Sequence, residues 1–316
     1  MSAEGSEKIP LLKKWLIALR PWALPASTMP VVFGTSLAVV IGRAPFRPGP
    51  FGLALMAMVI LHSAANMLSD VFDFRRGLDR EVTPVSGAVV RGWLSARAVA
   101  AAAGVFFLVG AALGLVLVGM TGRTLLVIGA VGLAIGLSYT FLKYRALGDL
   151  AVFLNFGILG ALGAWTVQVG SFSWLPVIWT VPLAMLVSAI LHANNWRDTA
   201  GDRERRIRTV ASVLGDKGSL IYYGVLTFGP FLLFLGMMVV PRLVAKSLIP
   251  LPWTFLLTWL ALPRAFTLWG RALRRHAPRN PMDFIVLDGA TSQYNLLFGL
   301  LATASVWVQY LITQVL

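Results

Sequence analysis

The sequence predicts an all-α membrane protein built as one bundle of nine transmembrane helices. Hydrophobic residues make up 58% of its 316 residues and charged residues only 13%. Soluble domains carry about 25% charged residues, so the polar surface of this chain is too small to cover a water-soluble body. Apolar segments also recur along the whole chain, each close to the ~20 residues that cross a bilayer as a helix.

The chain is interpreted as a single domain, 1–316, that starts with a surface helix over residues 1–20. The segment from Ile9 to Arg20 mixes apolar and basic positions and stops at Pro21, which is typical of a short amphipathic helix lying on a membrane. Nine apolar segments follow, several of them rich in the small residues that let helices approach closely in lipid. The predicted spans are 24–42, 50–69, 95–120, 124–142, 148–169, 174–195, 219–240, 247–268 and 290–314.

The basic residues are distributed unevenly over the links between these spans. Twenty-two of the 27 lie at the N-terminus and near the links after the even-numbered spans, and five lie in the opposite links. The positive-inside rule therefore predicts a cytoplasmic N-terminus and a C-terminus on the other side of a bacterial-type inner membrane. Topology alone accounts for the net charge of +14, so no nucleic-acid partner is expected. No signal peptide is recognised at the N-terminus.

The acidic residues are more one-sided still, and this is not a requirement of topology. All 13 fall on the predicted cytoplasmic side, and two clusters stand at the ends of spans 2 and 6. In the first cluster, Asn66, Asp70 and Asp73 recur at i, i+4 and i+7, which places them on one helix face. In the second, Asp198 and Asp202 lie one helical turn apart.

Oxygen ligands on adjacent turns suit Mg²⁺, which keeps several waters and binds through one or two carboxylates plus substrate phosphate. Two such clusters on one membrane face could hold two Mg²⁺ ions around a diphosphate, with basic side chains taking the remaining phosphate charge. The basic residues at hand are Arg75, Arg76, Lys143, Arg145, Arg197 and Arg206. The alternative is that the acids are solvated loop residues paired with neighbouring Arg side chains. The chain has no Cys, which excludes thiolate metal sites and disulfides.

Three stretches of the chain carry a family resemblance. The first runs from Ala18 to Ser27 and the second from Asp70 to Asp79, with the spacing D-x₂-D-x₅-D. The third runs from Asn194 to Asp202 and is followed by an Arg-Thr pair. In these stretches the chain resembles the intramembrane aromatic prenyltransferases of the UbiA type. Within that superfamily it looks most like the 1,4-dihydroxy-2-naphthoate polyprenyltransferases of menaquinone synthesis, whereas the 4-hydroxybenzoate branch more often shows D-x₃-D.

This resemblance implies a cytoplasmic-side active site that transfers a polyprenyl group from polyprenyl diphosphate to 1,4-dihydroxy-2-naphthoate. Diphosphate and CO₂ would be released, and the product would be demethylmenaquinone. Mg²⁺, as two ions, would stabilise the charge on the leaving diphosphate. The residues implied as catalytic are Asp70, Asp73, Asp198 and Asp202, which would also be the metal ligands, and Tyr139. The residues implied as substrate contacts are Asn66, Arg75, Asp79, Lys143, Arg145, Asn194, Asn195 and Arg197.

Several of these residues also have a plainer interpretation. Asp79 could pair with the basic residues next to it, Lys143 could be a topological anchor, and Arg197 could form a local salt bridge. Tyr139 could belong to the aromatic belt at the membrane interface. Polar residues inside spans are by default functional candidates, but they could equally be satisfied by a neighbouring helix. They are Asn155, Gln168, Ser188 and His192.

Other functions stay open at this point. The acceptor could be 4-hydroxybenzoate, homogentisate, chlorophyllide, haem or a glycerol-ether lipid. A protein of another class, a transporter or flippase of an anionic lipid, would place its binding site near the bilayer midplane. The acids of this chain cluster instead at span ends on one face, which favours the enzyme.

Overall fold

The computed structural model describes residues 9–77, 82, 87–244 and 249–315. Over these ranges the chain forms helices and no β-strand, apart from one isolated backbone bridge between Arg145 and Arg208. The predicted all-α class is confirmed. The α-helices are α1 (Leu11–Leu19), α2 (Pro25–Val40), α3 (Pro48–Arg75), α4 (Ala96–Thr121), α5 (Arg123–Lys143), α6 (Gly148–Val152), α7 (Gly160–Val169), α8 (Trp174–Trp179), α9 (Val181–Arg197), α10 (Thr199–Glu204), α11 (Val210–Leu243), α12 (Leu262–Leu273), α13 (Met282–Ile285) and α14 (Leu287–Val315).

Six of these helical segments are long and apolar enough to cross a membrane: α3, α4, α5, α11, α14 and the unit formed by α6, a π-helical turn and α7. A seventh arises if the segment Leu11–Ala23 and α2, which meet at 53°, count as one bent span. The predicted spans 174–195 and 247–268 fall on interrupted helices. The first breaks at Thr180, and the second starts as the 3₁₀ helix Trp253–Ala261. The described ranges thus support a multi-pass membrane protein, and the count of nine stays a prediction.

Close helix contacts depend on small residues. α2 packs against α7 and α14, α9 packs against α11 and α14, and α3 packs along α4. At Gly34 in α2, an ideal Cβ would lie 2.3 Å from the carbonyl oxygen of Ala161 in α7. The backbones therefore touch, as small residues permit in lipid. Between α2, α9, α11 and α14 a core of large side chains fills the space, with Phe33, Phe234 and Phe298 fully buried.

The ends of several helices meet at one end of the bundle, which we call the motif end. The last turns of α3, α5 and α9 reach it, and α6, α10, α11 and α14 begin there. α11 starts at Val210 because Thr209 and Ser212 form a reciprocal capping box that satisfies the first backbone donors. That cap fixes the position of Thr209, which contacts the second acidic cluster. The fold thus brings both predicted clusters to one place.

The contact between α2 and α7 can be tested with one methyl group. We expect Gly34→Ala to lower the free energy of unfolding by about 1–3 kcal/mol, because the new Cβ overlaps backbone atoms that cannot move aside. Gly52→Ala is the matched control, since nothing lies within 4 Å of the added Cβ. Thermal unfolding of both variants in detergent, followed by Trp fluorescence, measures the difference. Equal unfolding temperatures would contradict the close approach of α2 and α7.

Candidate active site

Asp73 lies in the last turns of α3 and is held by donors from two helices. The Nζ atom of Lys143 lies 3.0 Å from its Oδ2, and the hydroxyl of Tyr144 donates to its Oδ1 at 2.7 Å. Ser69, one turn earlier on α3, donates to Oδ2 at 3.3 Å. The side chains of Asp73 and Lys143 are each only 11% exposed, so little water screens this pair. The ion pair fixes the end of α3 against the end of α5.

Asp70 lies one turn before Asp73 on α3, and one of its oxygens has an ionic partner but no hydrogen-bond donor among the described residues. Its Oδ2 accepts the backbone N–H of Val89 at 3.3 Å, and its Oδ1 lies 3.5 Å from a guanidinium nitrogen of Arg20. Within the described residues, this buried Oδ1 has no hydrogen-bond donor. The loop at Gly87 presses on it so closely that an ideal Cβ there would lie 1.9 Å from Oδ1. An unpaired buried acceptor costs about 1–3 kcal/mol, so this oxygen is suited to a bound cation.

The second acidic cluster lies near Lys143, the residue that pairs with Asp73 of the first cluster. The backbone N–H of Asp202 donates to the carbonyl of Asp198 at 3.1 Å, so these two acids stay one turn apart although α9 has ended. The hydroxyl of Thr209 donates to Oδ2 of Asp202 at 2.9 Å. Burial raises the pKa of Asp202 to about 6, and Lys143, Asp198 and Asp73 are near enough to influence it. A cation bound beside Asp202 would favour its ionised form.

Arg197 forms the local salt bridge that the sequence left open. Its guanidinium donates to both carboxylate oxygens of Asp198, at 2.9 and 3.1 Å, and also lies 3.1 Å from Asp288. Asn194, one turn earlier on α9, donates to Asp288 as well, at 3.1 Å. Asp198 is 48% exposed, so it remains accessible from solvent. Arg197 would have to exchange one of these carboxylates for a phosphate in order to contact substrate.

An open polar cavity of about 780 Å³ lies beside these groups and is lined by their partners Arg20, Lys143 and Asp288, whereas the four predicted metal-ligand Asp residues do not line it. Four of the predicted site residues line it: Asn66, Tyr139, Lys143 and Asn194. The sequence interpretation missed Arg20, His62, Ser69 and Asp288, which line it too. For His62 a signal was present, because it precedes Asn66 by four residues and so falls on the same helix face as the acids of α3. For Arg20 and Asp288 the sequence offers no comparable signal, since they come from distant parts of the chain.

An apolar slot of about 860 Å³ lies next to the polar cavity, between α2, α3, α4, α5 and α7. Ala65 and Phe156 line both spaces, so they mark the border. Along α3 the slot extends from Ala65 back to Ala54. Eleven residues of helix correspond to about 16 Å. Gly129, Gly132 and Gly136 of α5 form part of the opposite wall. The slot thus reaches from the charged end deep into the apolar bundle.

Four predicted substrate contacts do not line the polar cavity: Arg75, Arg145, Asn195 and Arg197. Arg75 is exposed at the end of α3. The guanidinium of Arg145 lies 3.6 Å from the centroid of the Phe141 ring. Asn195 is buried on α9 but does not line the cavity. Asp79 lies outside the described residues. Their roles in binding stay predictions.

The polar residues predicted inside the spans are largely satisfied by neighbouring segments. Gln168 exchanges two hydrogen bonds with the backbone of Arg47, at 2.8 and 3.3 Å. Ser188 donates to the carbonyl of Asp149, and His192 lies 3.1 Å from the Asp149 carboxylate. None of these three lines the polar cavity. Asn155 differs, because it lies on the wall of the apolar slot.

The carboxylates fit Mg²⁺ only if a phosphate ligand supplies part of its coordination. Among the described residues, no three His, Asp or Glu side chains converge on one point as a closed metal cage would require. Mg²⁺ needs no such cage, since it binds through one or two carboxylates together with substrate phosphate and water. Two carboxylates could take that part: Asp70, whose Oδ1 has no hydrogen-bond donor among the described residues, and Asp198, which is half-exposed. The donor set therefore fits Mg²⁺ bound jointly with a phosphorylated ligand.

Proteins of similar fold have been solved. The apo structure of a UbiA homolog from Aeropyrum pernix K1 superposes with a TM-score of 0.63 at 19% identity, covering 90% of this chain and 97% of that one. A UbiA homolog from Archaeoglobus fulgidus, solved bound to DMAPP and Mg²⁺, gives a TM-score of 0.59 at 15% identity, covering 93% and 99%. At these identities the likeness shows a shared fold.

Sequence comparison adds relatives of higher identity to these structural neighbours. The UbiA prenyltransferase domain-containing protein 1 homolog of Drosophila melanogaster is 32% identical over 298 residues, which cover 92% of this chain and 78% of that protein. UbiA prenyltransferase domain-containing protein 1 of Gallus gallus is 33% identical over 295 residues, covering 90% and 82%. The model of the UbiA prenyltransferase family matches residues 27–287. With a family match over most of its length, this chain belongs to the UbiA prenyltransferase family of membrane-embedded enzymes.

Proposed function

We propose that this enzyme transfers a polyprenyl group from polyprenyl diphosphate to 1,4-dihydroxy-2-naphthoate in an Mg²⁺-dependent reaction. One observation carries the donor half of the proposal: the polar cavity at the motif end adjoins the apolar slot, with Ala65 and Phe156 lining both. A prenyl diphosphate likewise has a polar and an apolar part, because its diphosphate head is highly charged and its prenyl tail is apolar. Its head would lie among the acidic and basic groups, and its tail would enter the slot past Phe156.

The charged groups are arranged to assist departure of diphosphate. The carboxylates of Asp70, Asp73, Asp198 and Asp202 repel a phosphate unless cations lie between them. Mg²⁺, as two ions in this proposal, would neutralise the charge that develops on the leaving oxygen. Lys143 and Arg20 lie on the cavity wall and would contact the phosphate oxygens directly. Their hydrogen bonds would strengthen as the carbon–oxygen bond breaks.

Tyr139 would stabilise the prenyl carbon from which the diphosphate departs. It lies one turn before Lys143 on α5 and lines the polar cavity, where its neighbours include Phe156 and Ala26. The face of an aromatic ring attracts a cation within about 6 Å, which would stabilise the allylic cation. The apolar wall of the slot excludes water that would otherwise trap that cation.

The acceptor assignment is supported by the sequence resemblance to the naphthoate branch. In this acceptor, the ring carbon that bears the carboxylate forms the new carbon–carbon bond, and CO₂ leaves. Acceptors such as 4-hydroxybenzoate remain the alternatives to be compared.

The metal-binding role can be tested with shape-preserving variants. We expect Asp70→Asn and Asp198→Asn each to lower kcat by about 100-fold or more, because a neutral amide loses most of the attraction for Mg²⁺ that stabilises the leaving diphosphate. Diphosphate release by purified protein with Mg²⁺, a long prenyl diphosphate and the naphthoate gives kcat. Asp283→Asn is the control, since Asp283 pairs with Arg271 away from the cavity. Full activity in both Asp70→Asn and Asp198→Asn would overturn the metal site.

The loop over Asp70 gives a second test. We expect Gly87→Ala to raise the Mg²⁺ concentration needed for half-maximal activity, because its Cβ would push against the Asp70 carboxylate. Gly201→Ala, in the second cluster, is the matched control. Its Cβ would meet only the flexible end of Arg205, at 3.4 Å. If the two variants show the same Mg²⁺ dependence, the loop does not position Asp70.

The acceptor can be identified by competition. We expect purified enzyme with Mg²⁺ and a long prenyl diphosphate to prenylate 1,4-dihydroxy-2-naphthoate and to release one CO₂ per diphosphate. The specificity constant kcat/KM for 4-hydroxybenzoate should be lower by at least about 100-fold, which corresponds to ~2.7 kcal/mol. Mass spectrometry of the products and trapping of CO₂ measure both reactions. Prenylation of 4-hydroxybenzoate with no turnover of the naphthoate would contradict this assignment while leaving the prenyl transfer itself intact.

A further inference from the structure

His62 occupies the border between the polar cavity and the apolar slot. It lies on α3, four residues before Asn66 and eight before Asp70, on the face that carries the acids. Its ring stacks on Phe156 with 4.4 Å between centroids, and Phe156 lines both spaces. This is where an allylic chain would leave its diphosphate and enter the slot, so an attacking acceptor would lie beside this imidazole.

The hydroxyl of Ser27 has two partners, and the partner that receives its hydrogen decides the tautomer of His62. The Oγ atom of Ser27 lies 2.7 Å from Nδ1 of His62, and the same hydroxyl donates to the carbonyl of Leu24 at 3.1 Å. A hydroxyl has a single hydrogen. While that hydrogen points to Leu24, the hydroxyl can only accept from Nδ1–H. The neutral ring then carries its lone pair on Nε2, the nitrogen left for the cavity.

The environment of His62 also separates it from the other two histidines of the chain. His192 lies against the carboxylate of Asp149, and His276 lies against that of Asp216. His62 has no carboxylate partner among the described residues. The charged or titratable side chains that share its cavity are Arg20, Tyr139, Lys143 and Asp288. A neutral imidazole can take a hydroxyl proton and release it again in each turnover.

We propose that His62 is the general base that accepts the hydroxyl proton of the aromatic acceptor, which rests on the proposed function. The carbon–oxygen bond of the prenyl diphosphate breaks, and its electron pair leaves with the diphosphate. The aromatic carbon supplies the pair for the new carbon–carbon bond. The ring regains a pair from the O–H bond of its hydroxyl, whose proton goes to Nε2 of His62. The carbon–carboxylate bond then breaks, CO₂ leaves, and the electron pair of that bond returns to the ring. His62 gives the proton back to the ring oxygen, which restores the hydroxyl of the product.

The test compares acceptors whose hydroxyl groups differ in acidity. Substituted dihydroxynaphthoates form such a series, and kcat is measured for wild type, His62→Gln and His192→Gln with Mg²⁺ and a long prenyl diphosphate. We expect His62→Gln to lower kcat by about 100-fold or more with the least acidic acceptor. The loss should shrink as the acceptor becomes more acidic, because an acceptor that is already ionised needs no base. His192→Gln, which removes a buried histidine outside the cavity, should keep the wild-type dependence on acidity.

A purely structural role for His62 would give a different pattern. An equal loss for all acceptors, or a kcat within about tenfold of wild type, would overturn the proposal. If His62→Gln does not fold, Ser27→Ala tests the same idea by removing the group that orients the ring. It should lower kcat most for the least acidic acceptors, and an unchanged profile would contradict the proposal. A wild-type enzyme that prenylates no aromatic acceptor would instead overturn the proposed function, and this inference with it.

Discussion

The buried ion pair between Asp73 and Lys143 is the contact on which the rest of the site depends. It joins the end of α3 to the end of α5, and Lys143 also lies near Asp202 of the second cluster. Taking two charges out of water costs about as much as their attraction returns, so the pair is weak evidence for stability. Its consequence is positional. A cation is held between two acidic clusters, where a diphosphate could share it without any large movement of helices.

Around that pair, the protein separates charge from hydrocarbon. The acids and their basic partners lie at the motif end, while the slot beyond Phe156 is lined almost entirely by apolar side chains and glycine. A transporter would need polar groups near the bilayer midplane, but Gln168 and Ser188 are occupied by backbone groups. The slot therefore offers no charged path across the bundle. It fits a site that holds an amphipathic substrate still while one bond breaks.

The sequence predicted what depends on local periodicity and missed what depends on tertiary contact. The i, i+4 and i+7 spacing placed the acids of α3 on one face because a helix repeats every 3.6 residues. Nothing local indicates that Arg20 reaches Asp70, since this contact follows a left-handed turn at Arg20 with φ of 52°. The count of nine spans stays a prediction for a related reason. Hydropathy cannot see the interruption at Thr180, which lies directly before the proline-containing first turn of α9.

The separation of the charged groups from the apolar slot also suggests which residues would contact the aromatic acceptor. Every prenyl diphosphate presents the same head, so carboxylates that bind it through Mg²⁺ cannot distinguish one aromatic acceptor from another. The groups that can do so are those on the wall between the head and the slot, namely Asn66, His62, Tyr139 and Asn194. A buried polar group left without its partner costs about 1–3 kcal/mol. An acceptor lacking the matching oxygen would therefore be rejected at this wall, although its donor substrate binds normally. Family membership thus identifies the prenyl-transfer chemistry, and under the proposed function this wall is where the acceptor would be selected.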